Sequence, residues 1–192
     1  MSVPAESWAR ISPEYRAEQE RLHDTTTYGT VSATYAPMVS QIINRMGVTH
    51  ILDYGCGANC TLAKNLKIER KVTYQAYDPA VPRFAKEPFP AEMVCCIDVL
   101  EHIEPEHLEG VLDDLVRLTQ GIAFLTFYTG PALKTLSDGR NAHLIQQPMQ
   151  WWLPKLWDRF DIQNVSMISD GSYAVVGVAK PRLEGVDGVQ IA

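Results

Sequence analysis

Apolar residues recur along the chain with two periodicities that alternate. Segments with apolar residues three or four positions apart have the spacing of a helix face, and short apolar runs between them are typical of buried strands. The helical spacing predicts helices over residues 13–22, 36–46, 61–66, 105–119 and 148–157. The apolar runs predict strands over residues 50–55, 72–77, 92–99, 122–128, 162–168 and 173–179.

Several residues mark where these elements begin and end. Ser12 before Pro13 supplies an N-cap followed by a proline at the first helical position. Gly47 and Gly121 follow the second and fourth helices, as glycine commonly does at helix C-termini. The run SDGS at residues 169–172 is a strong hairpin turn between the last two strands.

Strands that alternate with helices form right-handed parallel βαβ units. We therefore expect a doubly wound α/β sheet that is mostly parallel, with one antiparallel strand contributed by the C-terminal hairpin. A chain of 192 residues is long enough for one such domain and too short for two. We expect a helical extension or cap over residues 1–35, the main domain over 36–180 and a flexible tail over 181–192.

Composition narrows the class of protein. The chain is 46% hydrophobic and 21% charged, no apolar run approaches the roughly 18 residues of a membrane span, and the first residues lack the pattern of a signal peptide. We therefore expect a cytoplasmic protein without a membrane partner. A net charge of −6 disfavours nucleic acid as a partner, although a nucleotide substrate stays compatible with it.

The four cysteines do not form a metal motif. Cys56 and Cys60 are spaced CxxxC without a second cysteine pair or a nearby histidine pair, and Cys95 and Cys96 are adjacent in a predicted strand. Adjacent strand residues point to opposite faces of the sheet. We expect reduced structural thiols and no metal.

The first strand runs into a glycine turn, Gly55-Cys56-Gly57, where backbone can approach a ligand closely because no Cβ intervenes. A dinucleotide fingerprint would need glycine or alanine at the position that Cys60 occupies, which argues against a nicotinamide or flavin dinucleotide. Asp78 lies 21 residues beyond Gly57 at the end of the next strand, where a Rossmann-type site places a carboxylate on ribose hydroxyls.

The segments ILDYGCGAN, YDP and DVLEHI resemble, in order, the first three motifs of class I S-adenosylmethionine-dependent methyltransferases. The resemblance covers about residues 36–180 and implies a Rossmann-like methyltransferase domain that uses S-adenosylmethionine. It implies that Asp53 helps to hold the methionine part of the cofactor, and that Asp78 binds its ribose. The other residues that it places beside the cofactor are Gly55, Gly57, Asp98 and Val99.

Two departures from the family pattern carry expectations of their own. Asn59 stands where the family has a third glycine, and asparagine is the non-glycine residue that best tolerates a left-handed φ, so the turn should survive. Only residues 79–91 separate the second and third strands, and four prolines there disfavour a helix. We therefore expect a sheet trimmed at this edge, with the adenine covered by loop backbone and by Val81 and Phe84.

Candidate acceptor-side residues follow the third and fourth strands. Glu101-His102 is either a pair beside the methyl group or the start of a helix, where carboxylates favour the N-terminal dipole. In the polar loop 134–143, His143 occupies the place of a histidine found in many small-molecule methyltransferases, and Arg140 could clamp an anionic group. We expect His143 to orient or deprotonate the acceptor, with His102 the next candidate, and the tryptophans at 151, 152 and 157 to be packing residues.

These residues predict transfer of a methyl group to a nucleophile on a small molecule, with Arg140 pointing to an anionic acceptor. Two alternatives stay open: a methyltransferase for a nucleotide or a modified nucleic-acid base, and a non-catalytic module that only binds the cofactor. No Asn/Asp-Pro-Pro-aromatic segment follows the third strand, which argues against a DNA methyltransferase for exocyclic amines. No Pro-Cys follows it either, which argues against a DNA methyltransferase for cytosine C5.

Overall fold

A computed structural model describes residues 10–23 and 29–181. Its helices are α1 (Pro13–His23), α2 (Ser32–Met46), α3 (Thr61–Asn65), α4 (Leu108–Leu118) and α5 (Met149–Trp157). Its strands are β1 (His50–Tyr54), β2 (Thr73–Tyr77), β3 (Ala91–Ile97), β4 (Thr119–Tyr128), β5 (Phe160–Ser169) and β6 (Ser172–Ala179). Apart from Pro181, the predicted tail 181–192 lies outside the described residues. No helix within the described ranges has both the length and the apolar character of a membrane span.

The six strands form one sheet in the order β2-β1-β3-β4-β6-β5. Strands β1 to β4 are mutually parallel, and β6 runs antiparallel to both β4 and β5. Gly171, with φ of 75°, closes the β5–β6 hairpin as the SDGS run predicts. The predicted fold is confirmed. The order of strands reverses between β1 and β3, so the carboxyl ends of these two strands flank the crevice where ligands bind in open α/β sheets.

The sheet is trimmed at the β2 edge, as predicted from the prolines. Residues 79–91 contain a short 3-10 turn, Pro82–Phe84, and no strand that pairs with β2. The side chain of Gln75 replaces that strand at one point: its Nε2 donates to the Phe89 carbonyl at 2.9 Å, and its Oε1 accepts from the Phe89 N–H at 2.9 Å. The carboxamide of Gln75 therefore ties the segment 79–91 to the β2 edge of the sheet.

Each face of the sheet is covered by a separate apolar layer. One layer packs α4 and α5 against the sheet, and the other packs α2 and α3. Cys96 belongs to the first layer and Cys95 to the second, which confirms that they point to opposite faces. Trp152 is buried at 0% exposure and Trp157 is 55% exposed, so the tryptophans divide between core and surface as expected.

Several predicted boundaries are wrong, including the start of α2, which lies at Ser32 rather than at residue 36. Residues 105–107 form a 3-10 turn before α4, and Gly121 lies inside β4 rather than at the end of a helix. A Cβ at Gly121 would come within 2.7 Å of the Glu92 carbonyl oxygen, so this glycine permits close strand pairing. Strand β3 ends at Ile97 because Asp98 adopts a left-handed φ of 59°, which turns the chain out of the strand.

Candidate active site

The glycine turn after β1 is folded against the ends of β2 and β3. The N–H groups of Gly55 and Cys56 both donate to the Tyr77 carbonyl, at 2.7 and 3.0 Å. Gly55 has φ of 81°, and a Cβ there would lie 2.4 Å from a methyl carbon of Val99. Gly55 is therefore required by its backbone and by the packing of Val99. The left-handed residue later in the turn is Cys60, with φ of 43°, so the expectation that Asn59 would take this role is wrong.

Asp78 at the end of β2 ties the turn to the segment that follows it. Its Oδ2 accepts from the Gly57 N–H and its Oδ1 from the Ala80 N–H, each at 2.9 Å, and the His23 Nε2 lies 3.7 Å from Oδ2. Burial raises the pKa of Asp78, while the charge of His23 and the two N–H groups oppose that effect. Asp78 and Gly57 therefore meet at one point of the site.

Asp53 does not line the cleft. It is buried at the end of β1 and accepts a hydrogen bond from the Tyr74 hydroxyl. The pKa of Asp53 is raised to about 7, mainly by burial; the hydrogen bond from Tyr74 opposes this shift, and the nearby Asp78 carboxylate adds to it. The Asp53 carboxyl group therefore lies beneath the glycine turn, Gly55-Cys56-Gly57, and not at its surface.

The chain after β3 brings two carboxyl groups together. The N–H of Asp98 donates to the Thr126 hydroxyl oxygen at 3.1 Å, and Asp98 and Val99 both line the cleft. Glu101 is fully buried, and its Oε1 accepts the Tyr128 N–H at 2.6 Å. Burial, and next the contact with the Asp98 carboxylate, hold the pKa of Glu101 well above its ordinary value.

The two predicted histidines are in contact, but only one lines the cleft. The rings of His102 and His143 meet edge to face with centroids 4.7 Å apart. His102 lines the cleft, and its Nδ1 lies 2.8 Å from the Ala142 carbonyl oxygen. His143 is buried behind it with Nδ1 2.8 Å from the Gly130 carbonyl oxygen. Since a carbonyl only accepts, each Nδ1 carries the hydrogen, and the lone pair of the neutral ring is on Nε2.

Enclosure by protein lowers the pKa of His102 to about 4; the Asp98 carboxylate opposes that shift, and the neighbouring His143 adds to it. His102 is therefore a neutral imidazole at pH 7. Arg140 does not reach the cleft, because it lies at the surface and its guanidinium is 2.6 Å from the Asp138 carboxylate. The structure thus brings His102 to the site together with Asp98, and leaves Arg140 outside it.

Helix α1 and the residues before it line one side of the cleft, and the sequence did not indicate which of their side chains do so. The cleft encloses a cavity of about 110 Å³. On the α1 side it is lined by Arg10, Ile11, Tyr15, Gln19 and His23. Arg10 is held by the buried Asp114, 104 residues away, at 2.5 Å, and by Glu87 at 2.8 Å. No local sequence pattern could have indicated a contact at that separation.

No protein-family model matches the chain, and comparison with curated protein sequences finds no match. Solved structures do share its fold. The chain superposes on the 1,6-didemethyltoxoflavin-N1-methyltransferase of Burkholderia thailandensis, whose structure was solved with 1,6-didemethyltoxoflavin and S-adenosylhomocysteine bound. The TM-score is 0.62 at 13% identity, over 94% of this chain and 92% of the other.

A second structure with the same fold is magnesium protoporphyrin IX methyltransferase (ChlM) from Synechocystis PCC 6803, solved with bound S-adenosylmethionine. The TM-score is 0.55 at 16% identity, over 91% of this chain and 90% of that one. TnmH matches with a TM-score of 0.56 at 16% identity, over 86% of this chain, and the chain spans 57% of the length of TnmH. The chain therefore has the fold of class I S-adenosylmethionine-dependent methyltransferases.

Proposed function

We propose that this protein is an S-adenosylmethionine-dependent methyltransferase that acts on a small molecule. The observation that carries the proposal is the convergence of Gly57, Asp78 and Asp98 on one cleft at the point where the strand order reverses. Three sequence motifs separated by up to 40 residues thus meet where open α/β sheets bind ligands. The shared fold of cofactor-bound methyltransferases supports this assignment.

The residues at the cleft suit the cofactor. Beside Gly57 the nearest atom to a hypothetical Cβ is the His23 Cε1 at 3.5 Å, so backbone is exposed to the cleft there. Asp78 would accept hydrogen bonds from ribose hydroxyls, and Val99 would pack beside the cofactor. When bound, S-adenosylmethionine supplies an electrophilic methyl group on its sulfonium.

The protein's own task would then be to orient the acceptor and exclude water. We assign the acceptor side to His102, whose neutral ring presents Nε2 as a hydrogen-bond acceptor. His143 would hold His102 in place through the ring contact. The role predicted for Arg140 on an anionic acceptor would require the guanidinium to leave Asp138 and the 134–143 loop to move inward. The cap predicted over residues 1–35 is part of this proposal for residues 10–23 and 29–35, whereas residues 1–9 and 24–28 lie outside the described residues.

Ligand binding tests the cofactor assignment. S-adenosylhomocysteine at a hundredfold excess over its Kd should stabilise the protein by about 2.7 kcal/mol, or roughly 5–10 °C in Tm. Asp78→Ala should lose most of this shift, since each charge-assisted hydrogen bond contributes about 1.5–3 kcal/mol. Asp170→Ala, in the exposed β5–β6 turn, should keep the full shift.

Two outcomes would redirect the proposal. A larger Tm shift with NAD than with S-adenosylhomocysteine would contradict the cofactor. Binding of S-adenosylmethionine without transfer of its labelled methyl group to any fraction of a small-molecule extract would instead favour a non-catalytic binding module. Transfer to a nucleotide fraction would favour the nucleotide alternative.

A further inference from the structure

The charges that line the cleft point to the chemistry of the acceptor. We propose that the acceptor is an amine, whose N–H groups are held by Asp98 and His102 while its lone pair faces the methyl group. This inference rests on the proposed function and specifies the acceptor atom as nitrogen. It differs from the anionic acceptor that Arg140 indicated, because the groups that face the cleft after β3 are hydrogen-bond acceptors.

Asp98 carries the negative charge of a carboxyl pair. Its neighbour Glu101 is fully buried, its Oε1 accepts from the Tyr128 N–H, and no described residue donates to its Oε2. Two carboxyl groups in contact bond only if one of them is protonated. Burial, as the largest cause, raises the pKa of Glu101 well above its ordinary value, so that Glu101 keeps the proton of the pair. One negative charge therefore remains, on the residue that lines the cleft.

No cation among the described lining residues neutralises that charge. Asp98 has no ion pair in the described part of the chain. Arg10 lines the cleft but is bound by Glu87 and Asp114, and Arg117 joins the same cluster, so two guanidiniums face two carboxylates there. His102 is neutral, and His23 lies beside Asp78. An unmatched carboxylate in an enclosed cleft is costly until a cation or several donors reach it.

The transfer step suits such a site. The lone pair of a neutral amine forms the N–CH₃ bond while the S–CH₃ bond breaks and its electron pair stays on sulfur. The positive charge of the sulfonium is thereby transferred to nitrogen, and the methylated ammonium forms beside Asp98. No proton has to move for the step to balance. A carboxylate acceptor would be repelled by Asp98, and an alcohol would have to lose its proton first.

The experiment uses sinefungin, an analogue in which an amine-bearing carbon replaces the methylated sulfonium, so that an ammonium occupies the place of the methyl group. Calorimetry of the full chain gives Kd for sinefungin and for S-adenosylhomocysteine. Asp98→Asn should weaken sinefungin about ten- to a hundredfold more than it weakens S-adenosylhomocysteine. Asparagine tolerates the left-handed φ of 59° at this position, so the variant should fold.

Two control variants test whether the effect is specific to the Asp98 carboxylate. Glu101→Gln should keep the wild-type preference, because the amide can accept from the Tyr128 N–H and, like a protonated carboxyl group, carries no charge. Asp161→Asn removes a charge that is 61% exposed on β5 and should also keep it. An unchanged sinefungin preference in Asp98→Asn would overturn the amine inference. Failure of the wild type to bind S-adenosylhomocysteine would overturn the proposed function itself.

The reaction product gives an independent readout. With methyl-labelled S-adenosylmethionine and a small-molecule extract, the labelled product should be stable to base and should be retained by a cation exchanger at pH 7. A base-labile product that releases volatile methanol would identify a carboxylate acceptor and contradict the inference.

Discussion

His102 and His143 have similar sequence contexts, each at the end of a segment that follows a buried strand, but their surroundings give them different positions. The ring of His102 lines the cleft, whereas His143 is buried and its Nδ1 is bound to the Gly130 carbonyl. A neutral imidazole with a pKa of about 4 is a weak base and a good hydrogen-bond acceptor. At the scale of the residue, we therefore predict that His102 orients the acceptor and that His143 supports it.

His102→Ala should lower kcat for methyl transfer by roughly 10- to 100-fold, at or below the lower end of what a positioned acid–base group contributes. Its Kd for S-adenosylhomocysteine should stay near that of the wild type, because the ring lies on the acceptor side. His50→Asn, at the amino end of β1, is the matched control and should retain activity. Turnover close to the wild-type value in both His102→Ala and His143→Ala would exclude both histidines from the reaction.

At the scale of the element, helix α1 and the residues just before it are bound to the domain by several side chains. The Ser12 N–H and hydroxyl donate to Glu104 at 2.7 and 2.6 Å, and Glu18 accepts the N–H and hydroxyl of Ser137 at 2.7 and 2.6 Å. Arg10 adds ion pairs with Glu87 and Asp114. The Ser12 hydroxyl oxygen also accepts the Tyr15 N–H at 3.1 Å, which confirms the predicted N-cap.

We predict that Glu104→Ala releases the start of α1. Hydrogen bonds to a buried charged group each contribute about 1.5–3 kcal/mol, so amide protection over residues 10–23 should fall at least about tenfold. Hydrogen exchange read by mass spectrometry measures this, with Glu106→Ala as the exposed neighbouring control. The peptides of β1, β3 and β4 should be unaffected. If protection over 10–23 were unchanged, α1 would be held by packing alone.

At the scale of the whole molecule, burying ionisable groups under the site costs stability in a pH-dependent way. The pKa of Asp53 is raised in the folded protein to about 7, whereas an unfolded aspartate titrates near 3.8. A raised pKa means that the stabilising contribution is complete below pH 3.8 and is lost as the pH rises through 7. His102 has the opposite dependence, because its lowered pKa reduces stability as the pH falls from 6.5 towards 4.

The variant Asp53→Asn separates the effect of Asp53 on the pH dependence of stability from that of His102. The difference in free energy of unfolding, wild type minus Asp53→Asn, should decrease by roughly 3 kcal/mol between pH 5 and pH 8, since one pKa unit corresponds to about 1.4 kcal/mol. Urea unfolding at the two pH values measures it. Asp161→Asn, an exposed substitution, should show a difference that does not depend on pH. A constant difference for Asp53→Asn as well would mean that Asp53 is ionised throughout this range.

The sequence by itself determined the order of strands and helices, the hairpin and the trimmed β2 edge, because these depend on periodicity, prolines and turn residues that are close together along the chain. It also placed Gly57, Asp78 and Asp98 at strand ends, and parallel strand ends meet at one edge of a sheet.

The tertiary structure alone decided which side chains share the cleft. The contact of Arg10 with Asp114, the choice of His102 over His143 and the charge left on Asp98 all depend on packing between distant segments. Burial and nearby charges then set the protonation states, and neither is encoded in local spacing. For the same reason Gly121 proved to be a strand residue: its role comes from the carbonyl of Glu92 on the adjacent strand.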